Sequence, residues 1–321
     1  MKRYDVYVAS CTPTGGIYHY RMEDNAVTLA DITRMDRPMY MVTENDKMYI
    51  VLRAPFNNRE SGVVTYEIDD TGKLTAPSPI QSTKGEVACH IMVKEGSIYC
   101  ANYISGSLIK LPDQVVQHSG HGSSPARQEG PHVHFAGMTP DQQYICAADL
   151  GLDTIFLYKR DMTLHSLAKV PSGHGVRHLA FSEDGKWLFA VNELKSTVAA
   201  FAYRSGEPEL IDVCSSVPSS YAGATAASAI RVKDGYIYVS NRGHDSIAKM
   251  SFRDNKLALV DMIASGGKTP RDFLFVDQYL LCANQDSGCL SVLDGNRGFV
   301  IGDQLEVEMP VCVCVREKEE R

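Results

Sequence analysis

The chain has 321 residues, a length that fits either two average domains or one large all-β domain. Hydrophobic residues make up 44% and charged residues 22%, an ordinary globular balance, and no apolar run approaches the roughly 18 residues that a membrane helix needs. The formal net charge of -7 argues against nucleic acid as a partner.

The N-terminal stretch MKRYDVYVASCTPTGG reaches the charged Asp5 before any apolar segment of signal-peptide length, so we expect a cytoplasmic protein that engages no membrane. The nine cysteines contain no Cys-x-x-Cys spacing, and most lie in apolar strand patterns such as SIYCANY and YLLCANQ. This usage predicts reduced, packed thiols instead of a disulfide framework. Cys312 and Cys314, in VCVCV, are expected to be core residues on one face of a strand.

One kind of strand recurs seven times along the chain. Its copies are DVYVAS (5–10), MYIVLR (48–53), SIYCAN (97–102), YICAAD (144–149), WLFAVN (187–192), YIYVSN (236–241) and YLLCAN (279–284). Their last residues are 43, 49, 47, 43, 49 and 43 positions apart. A polar turn and a third apolar strand follow most copies, as in STVAAFAY, and a more variable fourth segment comes next. This periodicity predicts an all-β, seven-bladed β-propeller with four-stranded antiparallel blades, one domain over residues 1–321.

The first blade begins at DVYVAS without the innermost strand that precedes this segment in the other blades. The chain ends with PVCVCV, which has the composition of that missing strand. We therefore expect the segment 311–315 to pair with the N-terminal segment, so that the C-terminal strand closes the ring.

In the fifth repeat, GVRHLAFSEDGKWLFAVNEL reads as a hairpin with its turn at SEDG. The start of its first strand and the end of its second lie side by side, so Arg177 and His178 should lie close to Asn192 and Glu193. The other repeats have corresponding ends on the same mouth of the propeller. The starting positions are Pro38, Cys89, His134, Arg177, Ser228, Arg271 and Val311, and the returning ends are Ser10, Arg53, Asn102, Asp149, Asn192, Asn241 and Asn284.

Asn or Asp fills five of the seven returning ends, and such side chains commonly bond the backbone of turns, so we predict structural capping for them. The informative residues are those that depart from the repeat. They are Glu193, Arg242, Gln285, His134, Arg177 and Arg271, with His132, His90, His178 and His244 nearby. Arginines and histidines gathered at one opening of an acidic chain predict a site for a small anion. The alternative is that Arg177 and Arg271 only pair with Glu193 and Asp272.

His132 and His134, in PHVHF, would point to one face of a strand and could bind a metal. No cysteine or carboxylate cluster lies near them in the sequence to complete a ligand set, so we expect no metal and no cofactor. Recruitment to the anion site and plain packing both remain open for this pair.

The strings RQEGPHVHFAGMTPDQQYICAADLGLDTIFLY, GVRHLAFSEDGKWLFAVNELKSTV, VSNRGHDSIAKMSF and GGKTPRDFLF resemble the lactonase family of seven-bladed propellers, over about residues 7–316. That family includes the cycloisomerase type of 6-phosphogluconolactonase and the fungal carboxymuconate cyclases. The resemblance implies a lactonase that hydrolyses a small anionic sugar lactone, above all 6-phosphoglucono-δ-lactone of the pentose phosphate pathway. The sequence departs from the family at Val176, where a proline is usual, and in SCTPTGG, where the usual turn is rich in threonine.

The working residues of the cyclase branch correspond here to His132 or His134, Arg177, Glu193 and Arg242. On this basis Glu193 is the expected base, and Arg177 with one PHVH histidine is expected to stabilise the oxyanion. The residues expected to bind the anionic end or the rest of the substrate are Arg242, His244, Arg271, His178, Gln285 and His90. A lactone-forming cyclase or isomerase and a non-catalytic propeller that binds anions or proteins are the alternatives. The sequence leaves the oligomeric state open.

Overall fold

The computed structural model describes residues 2–23 and 26–318. Within them the chain forms seven antiparallel sheets, and the innermost strand of each sheet contacts the innermost strands of its two neighbours, so that the sheets form a closed ring. The fold is therefore the predicted seven-bladed propeller. A short 3₁₀ helix lies at Gly295–Arg297, and among the described residues no helix is long and apolar enough to cross a bilayer.

The strands follow the chain blade by blade. Blade 1 contains β1 (Arg3–Ser10), β2 (Gly16–Glu23) and β3 (Ala26–Arg34), and blade 2 contains β4 (Pro38–Glu44), β5 (Lys47–Phe56), β6 (Glu60–Ile68), β7 (Leu74–Thr75) and β8 (Gln81–Glu86). Blade 3 contains β9 (Ala88–Lys94), β10 (Ser97–Asn102), β11 (Ser107–Lys110) and β12 (Gln114–Gln117). Blade 4 contains β13 (Val133–Met138), β14 (Tyr144–Asp149), β15 (Thr154–Lys159) and β16 (Leu164–Lys169).

The remaining strands complete the ring. Blade 5 contains β17 (Val176–Phe181), β18 (Trp187–Asn192), β19 (Thr197–Arg204) and β20 (Glu207–Ser215), and blade 6 contains β21 (Ala226–Lys233), β22 (Tyr236–Arg242), β23 (Ser246–Arg253) and β24 (Lys256–Ala264). Blade 7 contains β25 (Pro270–Val276), β26 (Tyr279–Asn284), β27 (Cys289–Asp294) and β28 (Val300–Glu306). The last strand, β29 (Pro310–Lys318), returns to blade 1.

The predicted second strands are confirmed as β1, β5, β10, β14, β18, β22 and β26. They are almost entirely buried, because each blade is covered on both faces by its neighbours. The core consists of apolar clusters between adjacent blades; one of them packs Phe201 and Leu179 of blade 5 against Leu157 of blade 4. Repeated apolar runs in the second strands follow from this burial on both sides.

Blade 2 departs from the four-stranded pattern because its outer strand is interrupted. The two-residue β7 pairs with one end of β6, and β8 pairs with the other end. Between β7 and β8 lie Pro77 and Pro79, which have no N–H to donate to a ladder. The other blades have the expected four strands.

Ring closure by the C-terminal strand is confirmed. Strand β29 pairs antiparallel with β1, with Val315 opposite Val6 and Cys312 opposite Ala9. Val311 lies at a register shift in this pairing, so it is the one residue of the expected segment that has no direct partner.

A register shift recurs at the same point in the innermost strand of each blade. In blade 5 Val176 pairs with Asn192 and His178 pairs with Val191, which leaves Arg177 as an extra residue between them. The corresponding extra residues are Met39, Cys89, His134, Ser228, Arg271 and Val311. Such β-bulges redirect a side chain out of the regular pleat. The bulges therefore place these side chains at the mouth of the channel.

The bulges also correct the sequence alignment in blade 2. Pairing of Pro38 with Leu52 and of Tyr40 with Val51 makes Met39 the equivalent of Arg177 and Leu52 the equivalent of Asn192. The expected equivalences of Pro38 with Arg177 and of Arg53 with Asn192 are therefore wrong by one residue. The reason is that Leu52 stands where the other blades have Ser, Asn or Asp, so the apolar run of this strand continues one residue further.

Candidate active site at the propeller mouth

Two rings of side chains line the mouth. The first ring consists of the bulge residues. The second consists of the residues that directly follow the paired end of each second strand: Cys11, Arg53, Tyr103, Leu150, Glu193, Arg242 and Gln285. Their equivalence follows from the backbone, since the amide of Glu193 bonds the carbonyl of Gly175 just as the amide of Arg53 bonds that of Arg37. Residues far apart in the chain thus share one opening.

Glu193 is the centre of the ion pairs at this mouth. Its Oε2 lies 3.1 Å from Nε of Arg177 and 2.9 Å from a terminal guanidinium nitrogen of Arg242, and its Oε1 accepts a hydrogen bond from Arg127 at 2.7 Å. The carboxylate is 5% exposed. The expected proximity of Arg177 to Glu193 is confirmed, and three arginines share one carboxylate.

These charges determine the protonation state of the cluster. Burial alone would raise the pKa of the Glu193 carboxyl, but the charges of Arg242 and Arg177 and the hydrogen bond from Arg127 outweigh it and hold that pKa well below its usual range. Burial, together with the charge of Arg242, lowers the pKa of Arg177 to about 9, at which it is still a cation at neutral pH. The cluster therefore carries two more positive charges than negative ones.

His134 and His132 lie on two sides of the Tyr103 ring. The His132 ring stacks on it at a centroid distance of 4.5 Å, and the His134 ring meets it edge-on at 5.4 Å. Nδ1 of His132 faces the Tyr103 carbonyl and its Nε2 lies 3.2 Å from Glu129, whereas Nδ1 of His134 faces the Cys89 thiol at 3.6 Å. His134 is the bulge residue and His132 precedes the strand, so the alternation that would have put both on one face is broken.

His178 and His90 lie deeper, in the channel. Their rings are 5.0 Å apart, and His90 packs against Tyr40 and Phe135. Arg177 donates a hydrogen bond toward Nε2 of His178 at 3.1 Å. Neither histidine contacts Glu193. These two predicted binding residues therefore lie in the channel beneath the Glu193 cluster and not within it.

Arg271 and Gln285 lie together on blade 7. A guanidinium nitrogen of Arg271 donates to Oε1 of Gln285 at 3.1 Å. Burial and the nearby charge of Arg242 lower the pKa of Arg271, although Glu193 partly offsets them. Asp272, the partner that the alternative interpretation gave to Arg271, instead pairs with Arg231 at 2.7 Å. Arg271 thus faces the mouth with a neutral partner.

His244 is not part of the cluster. Its Nδ1 lies 2.7 Å from the Ser246 hydroxyl, and its ring packs edge-on against Tyr221 at 4.5 Å. Tyr221 belongs to the loop of residues 216–225, between β20 and β21. Thr225 of this loop and Ala226, the first residue of β21, form one wall of an open cavity of about 600 Å³.

That cavity reaches the cluster at Glu193 and Arg127. Its remaining walls are polar and come from the loops at 123–125, 172–173 and 194–195, and they include Ser123, Ser124, Ser172 and Lys195. A small ligand in this cavity would therefore lie beside Glu193 and its partner Arg127.

The comparisons with known proteins agree with this architecture. A family profile described as "Lactonase, 7-bladed beta-propeller" matches residues 5–316. A Bacillus subtilis protein named 6-phosphogluconolactonase is 32% identical, and the alignment covers 98% of both chains. The chain belongs to the seven-bladed lactonase propeller family. The expectation of a lactonase enzyme is confirmed at this level.

Solved structures give the same fold. A Lactobacillus plantarum protein superposes with a TM-score of 0.88 at 25% identity, covering 99% of this chain and 100% of that one. A periplasmic gluconolactonase of Pseudomonas aeruginosa superposes with a TM-score of 0.87 at 24% identity, covering 98% and 99%.

Arg127 is the residue of this lactonase propeller that sequence reasoning missed. It lies in the loop between β12 and β13, a segment with no counterpart in the other repeats. Buried Gln128 fixes this loop by accepting the amides of Ser123 and Ser124 and by donating to Asp153 at 2.8 Å. Arg127 stands within the family-like string RQEGPHVHF, and that string was the available signal.

The Asn and Asp residues of the repeat are structural, as predicted. Asn102, for example, donates to the carbonyl of Thr83 and the hydroxyl of Ser107, and Asn284 donates to the carbonyl of Ser265 and the hydroxyl of Ser291. These side chains fix the turns that carry the second ring.

The nine cysteines are unpaired, and most are buried, as expected for reduced thiols. Cys312 lies in the core, and Cys314 packs against the same cluster. Among residues 2–23 and 26–318, no three His, Cys, Asp or Glu side chains converge as a metal site would require.

Proposed function

We propose that this chain hydrolyses 6-phosphoglucono-δ-lactone to 6-phosphogluconate, the lactonase step of the pentose phosphate pathway. The observation that carries the proposal is the Glu193 carboxylate held by Arg127, Arg177 and Arg242 beside an open polar cavity. Membership of the lactonase propeller family and the full-length similarity to the Bacillus subtilis protein add support.

In the proposed reaction a water oxygen attacks the lactone carbonyl carbon while Glu193 accepts one of its protons. The carbonyl oxygen becomes an oxyanion, which Arg177 and an N–H of the neutral His134 stabilise. The bond from the carbonyl carbon to the ring oxygen then breaks, and the ring oxygen takes the proton and leaves as a hydroxyl. The product is one ring-opened hydroxy acid, and its new carboxyl group, which keeps the second proton of the water, releases that proton to solvent at neutral pH.

The same contacts indicate how the catalytic work is divided. A carboxylate whose pKa is held this low is ionised at neutral pH but is a weak base. A sugar δ-lactone is a reactive ester, so the excess positive charge at the oxyanion is proposed to supply the larger share of the rate enhancement. His134 stays neutral because burial, reinforced by Arg177, lowers its pKa well below the usual range.

Arg242 is proposed to hold the catalytic carboxylate instead of the tail of the substrate. It donates to the carbonyls of Ala226 and Ala227 at 3.2 and 3.1 Å in addition to its ion pair with Glu193, so its donors are largely occupied. Arg271, whose side-chain partner within the described part of the chain is the neutral Gln285, is the better candidate for the anionic end of the lactone.

We place this activity in the cytoplasm. A sugar phosphate carries a double charge and does not cross membranes unaided, and the unpaired cysteines fit a reducing compartment.

A panel of lactones tests the proposed function. The purified protein is assayed for acid release from 6-phosphogluconolactone, gluconolactone and a carboxymuconolactone, after correction for spontaneous hydrolysis. The expected result is turnover of the sugar lactones, and a Glu193→Gln variant should lose ~10²-fold or more in kcat with KM near wild type. Acid release from none of them, or lactone formation from muconate, would remove the proposal. Full kcat in Glu193→Gln would remove the glutamate from the mechanism.

A further inference from the structure

The guanidinium of Arg53 faces the mouth without a counter-charge. The backbone places Arg53 on blade 2 at the position that Glu193 occupies on blade 5. The Arg53 side chain therefore projects from the second ring of residues at the mouth. Arg53 is exposed, and within the described part of the chain its side chain makes no hydrogen bond or ion pair. An arginine in this state is free to bind a ligand.

Arg53 and Arg271 lie on the same side of the mouth. Blade 1 separates their blades in the ring, and its mouth residue is Cys11. Burial raises the pKa of the Cys11 thiol, while the charges of Arg53 and Arg271 oppose that rise, so both guanidinium groups act on one buried side chain.

Nearby charges do not neutralise this pair. The charge of Arg37 also acts on Cys11, but Arg37 donates from Nε and from one terminal nitrogen to the two carboxylate oxygens of Asp36, at 2.6 and 2.8 Å. Among the described residues, the side chain of Arg271 bonds the side-chain amide of Gln285 and no carboxylate. At Cys11, between the two guanidinium groups, the cysteine sulfur contacts the Met39 sulfur at 3.1 Å, so this part of the mouth is apolar. Two guanidinium groups that form no ion pair with a carboxylate fit a phosphate or carboxylate group, which guanidinium groups bind through paired hydrogen bonds.

We propose that Arg53 and Arg271 form a binding subsite for the phosphate group of the substrate, and that Arg53 makes the enzyme prefer phosphorylated over neutral sugar lactones. The proposal rests on the proposed function, because it places the lactone ring at Glu193. Blade 2 lies three blades from blade 5, on the far side of the ring, and blade 7 lies two blades from it, so a sugar phosphate with its ring over Glu193 and its tail toward Arg53 crosses the opening. The rival position for the tail is Lys195, in the cavity on the other side of Glu193.

Three variants distinguish these positions: Arg53→Gln, Lys195→Gln and, as a matched control, Arg204→Gln, an exposed arginine at the opposite end of blade 5. Each loses one positive charge. We expect Arg53→Gln to raise KM for 6-phosphogluconolactone about tenfold, with KM for gluconolactone and both kcat values within about twofold of wild type. The Lys195 and Arg204 variants should retain the wild-type preference.

Equal effects of Arg53→Gln on both lactones, or no effect, would overturn the subsite, and a selective effect of Lys195→Gln would move it to the cavity. Calorimetric binding of 6-phosphogluconate and of gluconate separates this result from failure of the proposed function. A protein that hydrolyses no lactone but binds 6-phosphogluconate through Arg53 retains the subsite. A protein whose affinity for 6-phosphogluconate is unchanged in Arg53→Gln does not have it.

Discussion

Glu193 shows how one residue can set the charge of a whole site. A buried carboxylate is costly unless it is paired, and Arg177, 3% exposed, is equally costly alone. The ion pair between them offsets both costs. Arg127 and Arg242 then add two positive charges that the single negative charge of Glu193 does not neutralise. The excess is positive, so a chain with a net charge of -7 presents an anion-attracting mouth.

Substitution of Arg127 tests how much the loop between β12 and β13 contributes to the charge cluster around Glu193. Arg127→Gln removes the positive charge that is paired with Oε1 of Glu193. It also removes a contact of Arg127 with the Tyr103 hydroxyl at 3.5 Å. Because the cluster loses a charge-assisted hydrogen bond to Glu193 and part of its excess positive charge, kcat/KM should fall roughly 10- to 100-fold. Steady-state kinetics with 6-phosphogluconolactone measures this effect, and thermal melting should be near wild type because Arg127 is half-exposed.

Arg160→Gln is the matched control for that experiment. Arg160 has the same side-chain exposure, 46%, and an ion pair with Glu95 at 3.0 Å, but it lies in a turn away from the mouth. Identical kinetics in the two variants would mean that Arg127 has no role in the reaction.

At the level of strands, the β-bulge is the element that builds the site. One extra residue in the innermost strand of each blade turns a side chain toward the channel, and His134, Arg177 and Arg271 all occupy such positions. A propeller can therefore change its chemistry at the bulges while the paired residues keep the blade intact.

The closing strand β29 holds together three blades. Its Val313 amide donates to Asp272 of blade 7 at 3.0 Å, Arg316 pairs with Asp46 of blade 2, and Cys312 lies in the core that blades 1 and 2 share. A chain that ends at Met309 should lose these contacts and unfold without a cooperative transition, because blade 1 would present an unpaired edge. Circular dichroism melting and gel filtration measure this outcome.

A chain that ends at Lys318 is the control for that truncation and should melt as the full-length protein does. A second variant, Val313→Pro, removes the same amide by one substitution and should lower the melting temperature strongly. A soluble truncation at Met309 with a cooperative wild-type melt would show that the ring does not need its closing strand.

The sequence predicted the strands and the closure because both depend on apolar patterning, which repeats. It also singled out Glu193, Arg177 and Arg242, since Glu193 and Arg242 directly follow the Asn that ends a repeated strand and Arg177 lies at the start of the strand beside Asn192. The roles of Arg127 and Arg53 depend on features without such a signal. The first lies in a loop fixed by the distant Asp153, and the second was misaligned because Leu52 stands where the other blades have Ser, Asn or Asp, so the apolar run continues one residue further.

The whole ring encloses a channel in which three histidines are packed. His90, His134 and His178 come from blades 3, 4 and 5, and their rings lie 5.0 to 5.3 Å apart in successive contacts. Closing a ring of seven blades brings these strands together, so the cluster is a property of the assembled propeller and not of any single blade.

These histidines make the stability of the propeller depend on pH. Burial, reinforced by the charge of Arg177, lowers the pKa of all three, and for His90, where Arg231 also contributes, to about 3. In the unfolded chain each returns to about 6.5, so below that pH the unfolded state binds protons that the folded state does not. Stability should therefore fall as pH drops from 7 to 5, by up to about 1.4 kcal/mol per histidine for each pH unit below 6.5. Calorimetric melting at constant ionic strength measures the slope.

His90→Phe, which keeps a ring between Tyr40 and Phe135, should reduce that slope by up to about 1.4 kcal/mol per pH unit, the contribution of one histidine. The loss of carboxylate charge in an acidic protein acts equally in both chains and cancels in the comparison. Equal slopes in the two proteins would mean that the histidine cluster does not link proton binding to folding.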